Sequence, residues 1–140
     1  MQSKFKFLLL SLFLLSGFSV AAVAEKPRQV NISDEIENIK RMDISHVDPA
    51  TVPDGEYTGE YPFTQKYLYK VRVTVKSGRI EDIEVLENGT GNEYAEKGLG
   101  VIPRMLEKQS PDVDAVSGAT VTSKALMKCV ERALNKGRVE

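Results

Sequence analysis

The residues best suited to chemistry lie in one short stretch near the end of the chain, Asp112 to Ser123. It contains the small, flexible run Ser117-Gly118-Ala119, which lets a bulky group come close to the backbone. A helix is expected directly after it, and the start of a helix presents unpaired backbone N–H groups that attract an anion. Hydroxyl side chains crowd the same region, and they belong to Ser110, Ser117, Thr120, Thr122 and Ser123. The stretch therefore indicates a site for a phosphate or another anion, or else an ordinary turn before a capped helix.

The single cysteine and the single histidine exclude several other kinds of site. With only Cys129 and His46 present, the chain lacks the roughly four Cys or His ligands of a usual zinc site. His46 is interpreted as a solvated loop residue, which argues against a Ser-His-Asp hydrolase. Cys129 is interpreted as a small buried hydrophobe and not as a reactive thiol. No catalytic residue and no metal ligand is assigned.

The helix that follows the stretch is the best supported element of the sequence. Basic residues occupy its outer face, and apolar residues recur on the other face at helical spacing. The apolar residues are Ala125, Leu126, Cys129, Val130, Ala133 and Leu134. Thr122 or Ser123 can cap the start of this helix, and Gly137 stands where a helix-ending glycine is common.

Further upstream, alternation of apolar and polar residues predicts an antiparallel sheet. Tyr67 to Lys76 alternates throughout, so one face of this strand is expected to be buried and the other exposed to water. Ser77-Gly78 predicts a turn, and Ile80 to Leu86 predicts the returning strand. Ile80 is out of step with that strand, which predicts a bulge near Glu81-Asp82. Gly55 to Tyr61 predicts a further short strand.

Two shorter helices are predicted between the sheet and the last helix. Asn92 can cap one that ends at Gly98 or Gly100, and Pro103 suits the first turn of another that runs to about Gln109. Strands followed by helices favour an α+β domain. We therefore expect a small antiparallel meander of about three or more strands, packed with two to three helices.

Residues 1–24 have the pattern of a secretory signal peptide. Lys4 and Lys6 precede the apolar run Phe7 to Phe18, and Ala22-Val23-Ala24 forms a small-residue cleavage site. A retained membrane helix is the alternative, although the apolar run is short for a full span. Cleavage lowers the number of basic residues from 19 to 17, against 20 acidic residues. This balance gives no basic patch for nucleic acid.

The rest of the chain divides into a lead-in and a domain. Residues 25–53 are polar and are predicted to form a lead-in or tether, with one short helix that Ser33-Asp34 could cap. The apolar side of that helix would carry Ile36, Ile39 and Met42. Residues 54–140 are predicted to form the domain.

The run from Asp114 to Thr120, followed by Val121-Thr122-Ser123, closely resembles the flavinylation motif of the FMN-binding domain family. That family includes the covalent-flavin subunits of sodium-pumping NADH:quinone reductases and of Rnf complexes. Asp54 to Gly59 resembles the opening strand of the family, and Val71 to Ile80 resembles its central hairpin. The resemblance covers roughly residues 54–136.

The resemblance implies that FMN is esterified through its phosphate to the hydroxyl of Thr120, in the loop before the last helix. The other cofactor-binding residues would be Asp114, Ser117, Gly118, Ala119, Thr122 and Ser123. It also implies a separate FMN transferase that uses FAD and magnesium, because no base beside Thr120 is evident from the sequence. The implied function is electron transfer outside the cytoplasm, in the periplasm or on the outer face of the membrane. Redox proteins, such as a membrane reductase complex, would be the partners.

Two other functions stay open at this point. The chain could be an oxidoreductase that binds FMN without a covalent bond, or a flavin-free exported adaptor in which the motif is only a turn. The segment that approaches the flavin ring is also open. Thr90-Gly91 and Gly98-Leu99-Gly100 are the two candidates.

We predict that protein isolated from the cell envelope begins at or near Glu25, since Ala22-Val23-Ala24 has the small-residue pattern after which a signal peptidase cleaves. N-terminal sequencing or intact mass measures this directly. Recovery of Met1, or of the apolar run Phe7 to Phe18, in the envelope protein would contradict the prediction.

Overall fold

The computed structural model describes residues 31–138, and the predicted signal peptide lies outside them. In chain order the elements are helix α1 (Ile32–Arg41), strands β1 (Gly55–Phe63), β2 (Tyr67–Lys76) and β3 (Arg79–Asn88), and helices α2 (Glu93–Gly98), α3 (Val101–Lys108) and α4 (Thr120–Gly137). A short 3-10 turn, Pro49–Thr51, precedes β1. The predicted α+β fold is confirmed, with α2, α3 and α4 following the sheet and α1 preceding it.

The three strands form one antiparallel sheet in the order β1-β2-β3. Val71, Val73 and Val75 of β2 are buried, as the alternation predicts. The opposite face is open to solvent, and there Arg72 donates a hydrogen bond to the carboxylate of Glu84 across the β2–β3 pair. One face of the sheet therefore supplies the core and the other carries exposed charge pairs.

The predicted bulge in β3 is also confirmed. Thr74 pairs with Asp82, whereas its neighbour Val75 pairs with Ile80, so Glu81 is the extra residue. The bulge returns Ile80 to the buried face, where it is 3% exposed. This explains why Ile80 is out of step in the sequence.

Helix α4 packs against the inner face of β1 and β2. All six residues of its predicted apolar rows are buried. Gly59 of β1 faces the helix where the two elements come closest, because a Cβ on Gly59 would overlap the backbone carbonyl of Cys129. Burial raises the pKa of the Cys129 thiol to about 12, and its Sγ donates a hydrogen bond to the carbonyl of Tyr69. Cys129 is a buried core residue, as predicted.

Two helix termini differ from the prediction. Asn31 caps α1 by accepting a hydrogen bond from the backbone N–H of Ser33, so Ser33-Asp34 lies inside the first turn and does not form the cap. Gly137 is the last residue of α4 and is followed by Arg138 in an extended conformation. Gly137 lies against the ring of Tyr57, which leaves no room for a side chain. The glycine is needed there for close packing and not for a left-handed turn.

The termini of the two middle helices agree with the sequence. The side chain of Asn92 accepts a hydrogen bond from the N–H of Ala95 and caps α2, which ends at Gly98. Pro103 lies in the first turn of α3, and Gln109 ends that helix with φ at 57°.

The segment before the sheet is packed onto the domain. Ile39, Ile44, Val47 and Val52 are buried in the core or at its edge. His46 is exposed, as predicted, and its Nδ1 lies 2.7 Å from the hydroxyl oxygen of Ser110. The part of the lead-in that the structure describes is therefore part of the same folded unit.

We predict that Gly59→Ala lowers the free energy of unfolding by about 3 kcal/mol or more, because the new methyl group overlaps the backbone of α4. Urea unfolding followed by circular dichroism measures the change. Gly100→Ala is the matched control: Gly100 has an ordinary helical φ of −59°, and its Cβ would meet neighbours at 3.3 Å. Equal losses in the two variants would show that α4 can move away from β1 at little cost.

Candidate functional site

Helix α4 begins at Thr120, earlier than expected, and the start of the helix carries no side-chain cap. Ala119 occupies the N-cap position and offers no side-chain hydrogen bond. Its backbone carbonyl accepts from the N–H of Ser123. The first N–H groups of a helix have no acceptor within the helix. Those of Thr120, Val121 and Thr122 can therefore donate to an anion at the positive end of the helix dipole.

The prediction that Thr122 or Ser123 caps this helix is wrong, because both residues are inside its first turns and are buried. The hydroxyl oxygen of Ser123 accepts a hydrogen bond from the N–H of Val116 at 3.0 Å. The hydroxyl of Thr122 lies 3.4 Å from the Tyr69 hydroxyl. These two buried side chains fix the position of the helix start by contacts on its core side. They leave the first N–H groups of the helix free to bind an anion.

Thr120 lies on the wall of a cavity of about 400 Å³. This volume is within the usual range for cofactor and ligand pockets. The lining residues come from α1, from the end of β1, from β2, from the connection between β3 and α2, from α2 itself, and from the turn and first residues of α4. They are Ile36, Lys40, Phe63, Tyr69, Thr90, Asn92, Tyr94, Gly118, Ala119, Thr120, Val121 and Thr122.

Aromatic side chains form part of this wall. The rings of Phe63 and Tyr69 lie 6.3 Å apart and are tilted by 58°. Tyr94 of α2 is 57% exposed although it is large and partly apolar. Aromatic and apolar surface beside a few polar groups is the usual environment of a planar cofactor.

Two lysines bring positive charge to the cavity and its edge. Lys40 lines the cavity directly. The ammonium of Lys97 lies beside Gly118, since a Cβ at Gly118 would be 2.8 Å from it. Gly118 has φ at 80°, a conformation that side chains disfavour. The glycine therefore permits both the turn and the close approach of Lys97.

The structure places the predicted site residues in four different positions. Gly118, Ala119, Thr120 and Thr122 line the cavity. Ser117 is exposed on the turn before them, and Ser123 is buried behind the helix start.

Asp114 lies outside the cavity, in a neighbouring open groove with Arg104 and Lys108 of α3. Arg104 donates to the backbone carbonyls of Asp114 and Ala115, at 2.9 and 3.1 Å. Lys108 donates to the carbonyl of Asp112 at 2.7 Å. Two side chains of α3 therefore bind the main chain of the loop before α4, while the side chain of Asp114 stays exposed.

Sequence reasoning missed most of the cavity wall. Thr90, one of the two alternatives for the loop near the ring, lines the cavity, whereas Gly98, Leu99 and Gly100 do not. Nothing in the sequence indicated that Lys40 belongs to the site, because it lies in the predicted lead-in and outside the predicted domain. The alternation in β2 marks Tyr69 as buried but does not reveal that a cavity lies beside it. The other residues missed as site residues are Ile36, Phe63, Asn92, Tyr94 and Val121.

Residues 31–138 contain no cluster of three side chains suited to hold a metal ion. Over the same range, no helix combines the length and the apolar character that crossing a membrane requires.

Residues 69–135 match the family model described as FMN-binding domain. The match identifies this stretch, just under half of the chain, as an FMN-binding domain and supports FMN as the cofactor. The geometry of the site fits FMN, since an uncapped helix start suits a phosphate and an aromatic cavity suits a planar ring.

One curated relative adds a similarity of sequence. It comes from Treponema pallidum (strain Nichols), is described as "Uncharacterized protein", and is 35% identical over 101 residues. The match covers 71% of this chain and 28% of that protein. The chain therefore spans less than a third of the relative's length.

We predict that Thr122→Val lowers the free energy of unfolding by about 1 kcal/mol, because it removes the buried hydroxyl next to that of Tyr69. Flavin binding should persist, since valine keeps the packing against Gly98. Urea unfolding gives the first quantity and flavin absorbance of the purified native protein gives the second. Thr74→Val, on the open face of β2, is the control and should change stability by less than about 0.5 kcal/mol. Complete loss of bound flavin in Thr122→Val would assign the hydroxyl a direct role.

Proposed function

We propose that this chain is an exported flavoprotein electron carrier with FMN attached through a phosphoester to Thr120. The observation that carries the proposal is the position of Thr120: it is the first residue of an uncapped helix and lies on the wall of the cavity. Its hydroxyl group and the free N–H groups of the helix therefore belong to one site.

The start of α4 suits the diester that such a bond leaves. A phosphodiester keeps one negative charge, and the N-terminus of a helix stabilises such a charge by about 0.3–1 kcal/mol, more where the site is partly buried. Thr120 is half-buried. The ammonium of Lys97, beside Gly118, adds positive charge at the same turn.

A threonine hydroxyl is a weak nucleophile without a base or a metal ion. We therefore propose that a separate FMN transferase, using FAD and magnesium, attaches the flavin. In that reaction the Thr120 oxygen replaces AMP at the phosphorus atom of the FMN moiety and releases its proton. The exposed side chains of Asp114 and Ser117 lie before Thr120 in the chain, where a partner enzyme can reach them.

The flavin supplies reversible electron transfer when bound, and the protein determines access to it and its potential. The cavity offers aromatic and polar contacts and no assigned general acid or base. This favours a carrier of electrons between redox proteins, such as a membrane reductase complex, over an enzyme with its own substrate. The signal pattern of residues 1–24 supports a location in the periplasm or on the outer face of the membrane. A covalent bond would keep the cofactor from being lost there.

We predict that Thr120→Val folds but carries no acid-stable flavin, because valine keeps the shape of threonine and has no oxygen for the ester. Thr120→Ser should retain part of the flavin. The variants are co-expressed with an FMN transferase, precipitated in acid, and compared for flavin fluorescence in the denatured protein band. Ser117→Ala is the control: it removes a neighbouring hydroxyl from an exposed turn outside the cavity wall, and it should keep most of the signal.

The same experiment separates the alternatives. Flavin that binds the native wild type but is released by acid would show a non-covalent flavoprotein. Colourless wild-type protein would support the flavin-free adaptor. A fluorescent band in Thr120→Val would contradict attachment at Thr120.

A further inference from the structure

We propose that helix α1 forms part of the FMN site and that Lys40 contacts the bound FMN and raises its reduction potential. This inference rests on the proposed function in one respect, the location of FMN in the cavity beside Thr120. Ile36 and Lys40 of α1 line that cavity. They are four residues apart and so lie on the same face of the helix. Both precede residues 69–135, the part of the chain that matches the family model.

The fold holds α1 firmly in this position. Ile39 is fully buried, which anchors the helix against the core. Near its other end, the carboxylate of Glu35 accepts a hydrogen bond from the backbone N–H of Thr64 at 2.7 Å. Thr64 lies between β1 and β2, so α1 is tied to the sheet beside the cavity.

The segment after α1 is tied to α4, the helix that carries Thr120. Lys124 donates a hydrogen bond to the carbonyl of Met42 at 3.0 Å. Lys128 donates to the carbonyl of Asp43 at 3.0 Å, and the carboxylate of Glu131 accepts from the N–H of Ser45 at 3.1 Å. Three side chains of α4 therefore set the position of α1 relative to Thr120.

Lys40 is the one charged residue in the cavity wall, within the part of the chain that the structure describes. Its ammonium lies 3.7 Å from the carboxylate of Glu37, and both side chains are about half exposed. An exposed pair of this kind is weak, so the lysine keeps most of its effect on the cavity. Reduced FMN carries more negative charge than oxidised FMN at neutral pH. A nearby cation stabilises the reduced form more strongly, which raises the potential.

The test is the midpoint potential of the flavin in the full chain after co-expression with the transferase. It is measured by stepwise reduction with dithionite against a reference dye. Lys40→Met keeps an unbranched side chain of similar length and removes the positive charge. The midpoint potential of the flavin in this variant should be more negative than in the wild type. Because salt screens a half-exposed charge, the difference should shrink at high ionic strength. Lys40→Arg keeps the charge and should retain the wild-type potential.

Arg41→Met is the matched control. Arg41 is the next residue of α1, lies 3.9 Å from the same Glu37 carboxylate and is 80% exposed, but it does not line the cavity. Its removal should leave the potential unchanged. Equal potentials for Lys40→Met and the wild type, or equal shifts for Lys40→Met and Arg41→Met, would overturn the inference.

Failure of the proposed function gives a different result. If acid releases the flavin from the wild type, the proposed covalent attachment at Thr120 is wrong. The titration is then repeated with FMN bound without a covalent bond. A more negative potential in Lys40→Met would still support the contact with FMN, and equal potentials would still overturn it.

Discussion

The close approach of α4 to the sheet is the constraint on which the rest of the structure depends. It is possible because Gly59 has no side chain where β1 meets the backbone of Cys129. Once α4 lies this close, its apolar rows are fully buried and its position along the sheet is fixed. Its first residue, Thr120, then lies on the cavity wall together with Phe63 at the end of β1 and Tyr69 near the start of β2. The site is therefore a result of how the core packs.

The same helix distributes charge around the site. Its N-terminus contributes the positive end of the dipole beside Thr120. Further along, Lys124 and Lys128 hold the segment that follows α1, which brings Lys40 to the cavity wall. The protein as a whole is slightly acidic, with a formal net charge of −1. The positive charge around the cavity is therefore a local arrangement that composition does not reveal.

Local patterns predicted the fold well where one element decides its own structure. The sequence predicted the alternation of β2, the bulge at Glu81 and the buried face of α4, because each depends on neighbouring residues. It did not predict where α4 starts, since the buried position of Thr122 depends on a tertiary contact with Tyr69. A second register shift, between Lys70 and Val71 of β2, was also not predicted.

The site was predictable only in part, for a related reason. The stretch before α4 could be recognised because its residues are contiguous. The opposite wall is built from residues that are far away in the chain, and Lys40 lies 80 positions before Thr120. Its contribution depends on tertiary hydrogen bonds to α4, such as that from Lys124 to the carbonyl of Met42. No local pattern encodes such a contact.

The loop before α4 shows how shape and chemical identity can be determined by different residues. Arg104 and Lys108 bind main-chain carbonyls of this loop, which every amino acid possesses. The conformation of the loop is therefore largely independent of which side chains it displays at Asp112 and Asp114. Side chains at these two positions can therefore vary during evolution while the backbone of the loop keeps its conformation. A mutation of Arg104 or Lys108 would instead alter the shape of the loop while leaving its sequence intact.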